Sequence, residues 1–311
     1  MTTRSFSPLR WLAFASSAQL LAVTPSVEER VPRFRQEHVL VSNEQLADWR
    51  YLAFPALLDL GSDILVSYKR ARAHGDDPGS WLEMIRVDGK TGKGSEPRVI
   101  AALEGKIMQM GEWVRFPNGN IANYIDAQQK VSGADRIGLR VVRSTDGGRT
   151  FGPVERVGVI DGVEYGYAFD AISEGRTTWM LVMTFSYLTG GSVIYPARPT
   201  AGSVDVIRSE DNGRTWRFVR ALTKEFGDVP INESAFLRQK GGFLVSTRGY
   251  DGRQRLHLTD RDFKVVRQVD LTGTYPFITS YVGRPRLFER EGRVYLRVCL
   301  KHENLRFEIT A

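Results

Sequence analysis

The sequence predicts an all-β protein folded as a propeller of four-stranded antiparallel blades. The string S-x-D-x-G-x-T-aromatic occurs twice, at 144–151 and at 209–216. A short turn followed by an apolar run recurs five times, with 51 to 64 residues between successive runs. No stretch has the 3.6-residue periodicity of a long amphipathic helix. A repeat of this length, containing four short strands, is typical of a propeller blade.

The five repeated units follow one another along the chain. The apolar runs of their second strands begin at residues 64, 121, 179, 243 and 294. In each unit two strands flank a short turn, a third strand follows, and the repeated string or a decayed form of it precedes the fourth strand. The decayed forms lie at 86–91 and 259–263. The last unit shows only three strands, so we expect residues 31–41 to supply its outer strand and close the ring, which removes exposed sheet edges.

Each repeated string indicates a tight turn between the third and fourth strands. Its aspartate, Asp146 or Asp211, can accept hydrogen bonds from backbone N–H groups of the same turn. Its glycine, Gly148 or Gly213, supplies the positive φ that such a turn needs. The aromatic residue that follows packs inward as the next strand begins. These four residues are therefore predicted to be structural rather than catalytic.

Composition indicates one globular domain, which we place at residues 31–311. The chain has 311 residues, of which 42% are hydrophobic, and no linker or charge block divides it. The single cysteine, Cys299, excludes an internal disulfide framework. The net charge of +7 favours anionic ligands, but the basic residues are scattered, so no nucleic-acid partner is predicted. Four scattered histidines and the absence of a glycine-rich phosphate loop predict no metal and no cofactor.

The first thirty residues allow two interpretations. Arg4 and Arg10 precede an apolar run at 11–23 that is too short to span a bilayer. A basic head and a short apolar core are typical of a secretory signal, which predicts a secreted or periplasmic protein. The alternative is a buried first strand or helix of the mature fold, which leaves a cytoplasmic location open. Neither interpretation predicts a membrane span.

The repeat also predicts where a binding site lies. First strands begin and second strands end at the same end of each blade, and the repeated strings lie at the opposite end. Alignment of the units places these residues at the starts of first strands: Phe54, Glu112, Tyr167, Glu233 and Arg284. It places these at the ends of second strands: Arg72, Asp126, Tyr187, Arg248 and His302. Charged residues there are costly unless they are paired or used. Each of them could also form a simple salt bridge at the rim.

The repeated strings resemble the Asp-box of the sialidase superfamily, whose propellers close with six blades. The pair Asn232-Glu233 and the later Arg248 resemble that family's fourth blade, and residues 68–77 resemble its first. The resemblance implies that Glu233 is a base that activates a tyrosine nucleophile, and that Arg248 binds the carboxylate of sialic acid. It implies that Arg72 also binds substrate and that Asp77, or its neighbour Asp76, is the acid/base. Arg284 and His302 are further candidate substrate contacts.

The sequence departs from the family pattern at three places. The family's R-I-P of the first blade is replaced by Ala53-Phe54-Pro55, so one carboxylate-binding arginine is missing. The third arginine has only His302 or Arg306 as a candidate. The blade that carries the nucleophilic tyrosine lies beyond Ala311 in the family pattern, so either the ring has five blades or one blade is missing. The following tyrosines are near the predicted site without a matching motif: Tyr167, Tyr187, Tyr250 and Tyr281.

Two functional hypotheses follow from the resemblance and its gaps. The first is a sialidase-like glycoside hydrolase that acts on an anionic or sialic-acid-like glycan through Asp77 and Glu233. The second is a catalytically inactive propeller that binds glycan or protein at the same place. A polysaccharide lyase on this scaffold is a third possibility, since His74 or Tyr187 could abstract a proton.

Overall fold

The structure is a computed structural model that describes residues 26–30, 39–44, 48–75, 77–130, 134–184, 203–229, 231–276, 278, 283–300 and 303–310. Within these residues the chain forms five antiparallel sheets, and each sheet is one blade. The first strand of the chain, β1 (Ser26–Arg30), belongs to the last blade. The predicted propeller of four-stranded blades is therefore confirmed, with five blades in the described part of the chain.

The blades follow the chain order. Blade 1 contains β2 (Tyr51–Asp59), β3 (Asp63–Ala71), β4 (Trp81–Asp88) and β5 (Arg98–Ala101). Blade 2 contains β6 (Ile107–Arg115), β7 (Ile121–Lys130), a short β8 (Ala134–Arg136) paired with β7, β9 (Arg140–Ser144) and β10 (Glu155–Arg156). Blade 3 contains β11 (Val159–Ile160), β12 (Val163–Glu174), β13 (Thr177–Thr184), β14 (Val204–Ser209) and β15 (Arg217–Ala221).

Two short helices follow the outer strands of blades 3 and 4. Helix α1 (Leu222–Glu225) follows β15. Blade 4 contains β16 (Ile231–Gln239), β17 (Gly242–Gly249), β18 (Gln254–Asp260) and β19 (Val265–Asp270), and helix α2 (Leu271–Thr274) comes next. Blade 5 contains β20 (Arg286–Arg290), β21 (Arg293–Leu300) and β22 (Glu303–Thr310). The segments 121–127 and 243–247, for which a helix would contradict a propeller, are strands.

The two ends of the described chain pair in blade 5. Strand β1 runs antiparallel to β22, from Ser26 opposite Thr310 to Arg30 opposite Arg306. Our expectation that residues 31–41 form this strand is wrong in position, because the strand lies a few residues earlier, before the predicted domain start. An outer strand needs little apolar content, and β1 (S-V-E-E-R) has a single apolar residue, so its sequence does not mark it as a strand. Residues 31–38 lie outside the described residues.

The hydrophobic core lies between consecutive blades. Leu65 and Met84 of blade 1 pack in one cluster with Trp113 and Ile125 of blade 2. Three similar clusters lie between blades 2 and 3, 3 and 4, and 4 and 5. Because each blade buries its apolar faces only against its neighbours, the stacking of blades supplies the core that one sheet could not form alone.

The two ends of the blades differ in their backbone. We call the mouth end the end at which β2, β6, β12 and β16 begin, and the turn end the opposite one. Each of these four inner strands has a register irregularity close to the mouth end, for example between Ala53 and Ala56 in β2 and between Ile231 and Ser234 in β16. Bulges re-aim side chains, so they place polar groups toward the mouth end.

At the turn end, the two repeated strings form matching turns. Asp146 Oδ1 accepts the backbone N–H groups of Arg149 and Thr150, both at 2.9 Å, and Thr150 Oγ1 donates to Asp146 Oδ2 at 2.6 Å. In the second turn, the backbone N–H and the hydroxyl of Thr215 bind Asp211 at 2.9 and 2.6 Å. The glycines of the two turns, Gly148 and Gly213, have φ values of 78° and 76°. These contacts are the ones that the sequence predicts for the turns.

Candidate functional site

Glu233 lies at the centre of the mouth end, between an arginine and a tyrosine. Arg248 Nη1 is 2.7 Å from Glu233 Oε2, and the hydroxyl of Tyr167 donates to Glu233 Oε1, also at 2.7 Å. Glu233 starts blade 4 and Arg248 ends the second strand of that blade, so the sequence prediction that they are neighbours is confirmed. The Arg248 side chain is 21% exposed, which leaves part of the guanidinium within reach of a ligand.

Tyr167 comes from blade 3, and two guanidinium groups lie near its ring. Arg284 Cζ is 5.9 Å from the ring centroid and Arg136 Cζ is 5.5 Å from it. The Tyr167 residue is only 2% exposed. The hydroxyl of this buried tyrosine therefore faces an anionic carboxylate while its ring lies beside two cations.

Arg284 also belongs to an ion cluster on the propeller axis. Arg284 and Arg286, which precede and begin the inner strand of blade 5, both bind the Glu112 carboxylate, with Nη2 to Oε2 distances of 2.5 and 2.7 Å. Both donate to the carbonyl oxygen of Phe169. Burial raises the pKa of Asp170 to about 6, while Arg286, 3.5 Å away, opposes the shift. Blade 5 is therefore joined to blades 2 and 3 across the axis.

A second buried polar group links blades 1 and 2. Arg136 Nη2 is 2.9 Å from Asp126 Oδ2, and burial raises the pKa of Asp126 although Arg136 opposes that shift. The Lys69 ammonium donates to the carbonyl oxygen of His74 at 2.9 Å and to Gln109 Oε1 at 2.7 Å. Burial lowers the pKa of Lys69 to about 8, and the carboxylates of Asp77 and Asp126 oppose this.

Arg72 and Asp77, the candidates of the first blade, are in contact with each other. Asp77 accepts the backbone N–H of Arg72 at 2.6 Å and its Nε–H at 3.0 Å. The Asp77 side chain is 5% exposed, whereas that of Arg72 is 54% exposed. The Arg72 guanidinium stacks 4.5 Å above the ring of Trp49. Arg72 is thus the most accessible of the predicted arginines, and Asp77 is enclosed behind it.

An exposed tyrosine–histidine pair lies nearby in blade 1. The Tyr51 hydroxyl is 2.6 Å from His74 Nδ1. The His74 ring is 5.1 Å from the ring of Phe54, which has a positive φ of 54° next to Pro55. Proline has no N–H for the sheet, and Phe54 and Pro55 fall within the irregular pairing of β2, so they form a bulge that contains no arginine.

The contacts form a chain across the mouth end. Asp126 pairs with Arg136, whose guanidinium lies beside the Tyr167 ring. Tyr167 donates to Glu233, which pairs with Arg248. Burial lowers the pKa of Lys69, and the carboxylates of Asp77 and Asp126 oppose that shift. Glu112, predicted at the start of β6, lies six residues into that strand and therefore deeper along the axis. Tyr250 is half-buried against the core between blades 3 and 4. The remaining candidates lie outside the described residues: Asp76, Tyr187, Tyr281 and His302.

Sequence reasoning missed three charged residues of this site. Arg286 is two positions after Arg284, and alternate residues of a strand share a face, so this one could have been found. Asp170 is brought to the axis by the irregular pairing between Ala168 and Asp170, which the sequence does not mark. Arg136 is on β8, a strand outside the blade repeat. In the described part of the chain, no group of three His, Cys, Asp or Glu side chains could hold a metal ion.

The comparisons with known proteins concern the fold. No protein-family model matches the sequence, and no curated protein is similar to it. A protein of unknown function from Dyadobacter fermentans DSM 18053 has a TM-score of 0.62 at 17% identity, over 83% of this chain and 78% of that one. A mutant of NanB sialidase from Streptococcus pneumoniae has a TM-score of 0.59 at 10% identity, over 85% of this chain and 58% of that one.

A sialidase from Trypanosoma rangeli, in complex with sialic acid, has a TM-score of 0.51 at 10% identity, over 83% of this chain and 54% of that one. The chain thus spans little more than half the length of these two sialidases. The fold that the blades define is a β-propeller of the type found in these sialidases. In the residues that the structure describes, no helix has the length and apolar character needed to cross a membrane.

Proposed function

We propose that the mouth end binds an anionic glycan and hydrolyses its glycosidic bond in a sialidase-like manner. The observation that carries this proposal is the 2.7 Å hydrogen bond from the Tyr167 hydroxyl to Glu233, beside Arg248. In this arrangement the Glu233 carboxylate is placed to accept the phenol proton, as the base beside a tyrosine nucleophile does. The tyrosine comes from blade 3, so the proposal needs no further blade.

The proposed reaction has two steps. Tyr167 Oη attacks the anomeric carbon while Glu233 accepts the phenol proton, and the bond to the leaving oxygen breaks as that oxygen takes a proton from an acid. Water then attacks the glycosyl–tyrosine bond, Glu233 returns its proton to Tyr167, and the acid regains its own from the water. The guanidinium groups of Arg136 and Arg284 stabilise the negative charge that develops on the phenol oxygen. A neutral nucleophile of this kind suits a substrate that carries a carboxylate on its anomeric carbon.

Asp77 is the proposed acid, and Arg72 controls it. In the structure Arg72 holds the Asp77 carboxylate through Nε and Nη2. When a substrate carboxylate engages the exposed Arg72 guanidinium, Asp77 Oδ2 keeps the backbone N–H of Arg72, and Oδ1 is released to face the leaving oxygen. Arg248 is the second proposed contact for the substrate's anionic group, because arginine binds carboxylates through paired N–H donors.

One observation favours the alternative function of an inactive glycan-binding propeller. Arg72, Arg248 and Arg284 each form an ion pair with a carboxylate of the protein. Such pairing limits how much positive charge a substrate meets. Under this alternative the mouth end still binds an anionic glycan, but it does so without turnover.

The experiment measures release of the aryl group from an aryl sialoside, an aryl glucuronide and a neutral aryl glucoside. We expect the wild-type protein to cleave an anionic substrate and not the neutral one. Tyr167→Phe and Glu233→Gln should each lower kcat by about 100-fold or more. The matched control is Arg238→Gln, which breaks the ion pair between Arg238 of blade 4 and Glu174 of blade 3 and should leave kcat unchanged.

Turnover that survives both mouth-end substitutions would contradict the proposed nucleophile and base. A wild-type protein that binds the sialoside or the glucuronide without cleaving it would support the alternative. A secreted or periplasmic location, favoured by the basic and apolar residues before residue 25, would bring the protein into contact with extracellular glycans.

A further inference from the structure

A cleft of about 390 Å³ lies at the turn end, between blades 2 and 3. It is on the opposite end of the blades from Glu233 and shares no residue with the mouth end. Its polar lining comes from the hairpin between β6 and β7, from the end of β9 and from the second repeated turn. The polar residues that matter here are Asn118, Asn120, Arg143, Thr145, Asn212 and Arg214.

The equivalent junction between blades 1 and 2 is bridged by an arginine that forms an ion pair within its own blade. Arg86, opposite Leu65 in the pairing of β3 with β4, donates to the carbonyl oxygen of Gly147 in the next blade. Its other guanidinium nitrogen binds Asp63 at 2.7 Å. The arginine that joins the two blades is therefore neutralised within blade 1.

At the junction of blades 2 and 3 the acid is replaced by an amide. Arg143 occupies the position of Arg86, opposite Ala122, and donates to the carbonyl oxygen of Gly213 at 2.9 Å. Asn120 directly precedes Ile121, as Asp63 directly precedes Ile64, so an asparagine stands where blade 1 has its aspartate. The acid nearest to Arg143 is the exposed Glu155, at 3.5 Å.

The cleft has a net positive charge and unused hydrogen-bonding groups. Arg214 is exposed and, within the described part of the chain, its side chain has no ion pair or hydrogen bond; with Arg143 and Glu155 it gives a net charge of +1. The side chains of Asn120 and Thr145 are likewise without hydrogen-bond partners among the described residues. Asn212 Oδ1 accepts the backbone N–H of Asn118 at 3.2 Å, which fixes one wall of the cleft to the next blade.

We propose that this cleft is a second glycan-binding site, which takes one sugar unit bearing a carboxylate. The carboxylate binds between Arg143 and Arg214, and the sugar hydroxyls bind the free amide of Asn120 and the hydroxyl of Thr145. One negative charge on the ligand matches the single net positive charge of the cleft. The site binds this sugar without cleaving it, and it does not depend on the hydrolase activity proposed for the mouth end.

The test compares binding of methyl β-glucuronide and of methyl β-glucoside by NMR titration of the backbone amides. The glucuronide should shift amides of the hairpin at 116–120 and of the turn at 209–216, and the neutral glucoside should bind at least about tenfold more weakly. Asn120→Asp restores the acid found in blade 1. It should neutralise Arg143 as Asp63 neutralises Arg86, and weaken glucuronide binding at the turn end by about tenfold or more.

Arg214→Gln is the second variant, because it removes an exposed side chain and leaves the fold intact. It should weaken the same binding by a similar factor. The matched control is Asp161→Asn, which removes an acid of blade 3 outside the cleft and should leave glucuronide binding at the turn end unchanged. Equal affinity for the glucoside, or glucuronide binding at these amides unchanged in both Asn120→Asp and Arg214→Gln, overturns the proposal. The same titration in Glu233→Gln should give the same turn-end shifts, so a failure of the proposed hydrolase leaves this test unaffected.

Discussion

The polar residues at the turn end repeat from blade to blade, whereas those at the mouth end do not. At the turn end the same device recurs: Asp88, Asp146, Asp211 and Asp260 each accept backbone N–H groups of their own turn. An arginine of the preceding blade, Arg86, Arg143 or Arg220, donates to a carbonyl oxygen of the turn that follows. At the mouth end, the polar residues differ from blade to blade: Lys69 and Asp126 lie on second strands, and Tyr167 and Glu233 lie on first strands.

This difference distinguishes residues that stabilise the fold from residues that are candidates for ligand binding. A contact that joins one blade to the next spans a similar geometry at successive junctions, so the same kind of residue can form it at each of them. A ligand site is a single asymmetric place to which each blade contributes a different group. Repetition therefore indicates structural residues, and the unrepeated polar residues at the mouth end are the candidates for function. Substitutions at the two ends test this separation.

The largest effect is expected from Glu112, the unrepeated acid on the axis. Its carboxylate holds Arg284 and Arg286, which are 15% and 30% exposed. Glu112→Gln leaves both guanidinium groups without their main partner, and we expect it to lower the free energy of unfolding by about 3 kcal/mol. Urea denaturation measures this loss.

The control for Glu112 is Glu210→Gln, which removes an exposed acid 3.9 Å from Arg208 and should leave the denaturation midpoint unchanged. A Glu112→Gln protein as stable as wild type would mean that the axial ions do not hold blade 5 in place. It would also make Glu112 a candidate for a part in the function proposed for the mouth end.

The sequence could predict the turn end and the blades because both repeat. Two copies of one string fixed the position of Asp146 and Asp211, and the period of the apolar runs fixed the second strands. It could place Glu233 beside Arg248, because the first strand of blade 4 begins and the second strand ends at the same end of the blade. It could not place Tyr167 beside Glu233, because that contact joins two blades through an irregular strand whose extra residue leaves no mark in the sequence.

The closing strand was misplaced for a related reason. An outer strand contacts one neighbour, so its sequence lacks the apolar alternation that marks an inner strand, and Ser26–Arg30 shows none. Arg136 was missed because β8 is an addition to blade 2 that the other blades lack. Sequence repeats thus predict the scaffold and miss what is added to it.

A pH effect of similar size is expected in the middle of blade 4, between the two ends. His257 is fully buried, its ring stacks 3.6 Å from that of Phe226, and burial lowers its pKa to about 3, with Arg255 adding to the shift. The unfolded chain takes up a proton at this histidine below pH 6.5, whereas the native protein does not. Stability from this group is therefore complete above pH 6.5 and is lost as the pH falls toward 3.

The measurement is the free energy of unfolding of wild type and His257→Gln at several pH values. We expect the advantage of the wild type to shrink by about 3 kcal/mol between pH 6.5 and pH 4. A difference that stays constant over this range would show that the His257 ring is protonated equally in both states.

The glycines of the repeated turns give a graded effect at the turn end. Gly213 and Gly147 both have positive φ values, 76° and 70°. A Cβ at Gly213 would lie 2.3 Å from Phe116 Cζ and 2.9 Å from Tyr124 Oη in the preceding blade, whereas a Cβ at Gly147 would meet nothing within 4 Å.

Gly213→Ala should therefore lower the free energy of unfolding by about 2–3 kcal/mol, from backbone strain and from the clash with the preceding blade. Gly147→Ala carries only the backbone cost, about 1 kcal/mol. Thermal unfolding of the two variants compares them directly. Equal losses would mean that the turn does not need to fit closely against the preceding blade.

The smallest change in stability is expected at Glu233, and it tests the separation of the two ends most directly. Glu233→Gln keeps the size of the side chain and an oxygen for the Tyr167 hydroxyl, and it breaks one ion pair where Glu112→Gln breaks two, so the free energy of unfolding should fall by about 1 kcal/mol. Glycan turnover or binding at the mouth end should be lost.

Asp211→Ala is the opposite case. Although partial burial raises the pKa of Asp211, hydrogen bonds from Thr215 and Ser209 lower it to about 2. Its stabilising effect is therefore present above pH 4 and is lost as the pH falls toward 2. At pH 7 Asp211→Ala should lower the melting temperature and leave the affinity of the folded protein for a mouth-end glycan unchanged. If Asp211→Ala instead abolished glycan binding at full stability, or if Glu233→Gln unfolded the protein while binding persisted in the folded fraction, then repetition would not distinguish the structural end of the blades from the functional one.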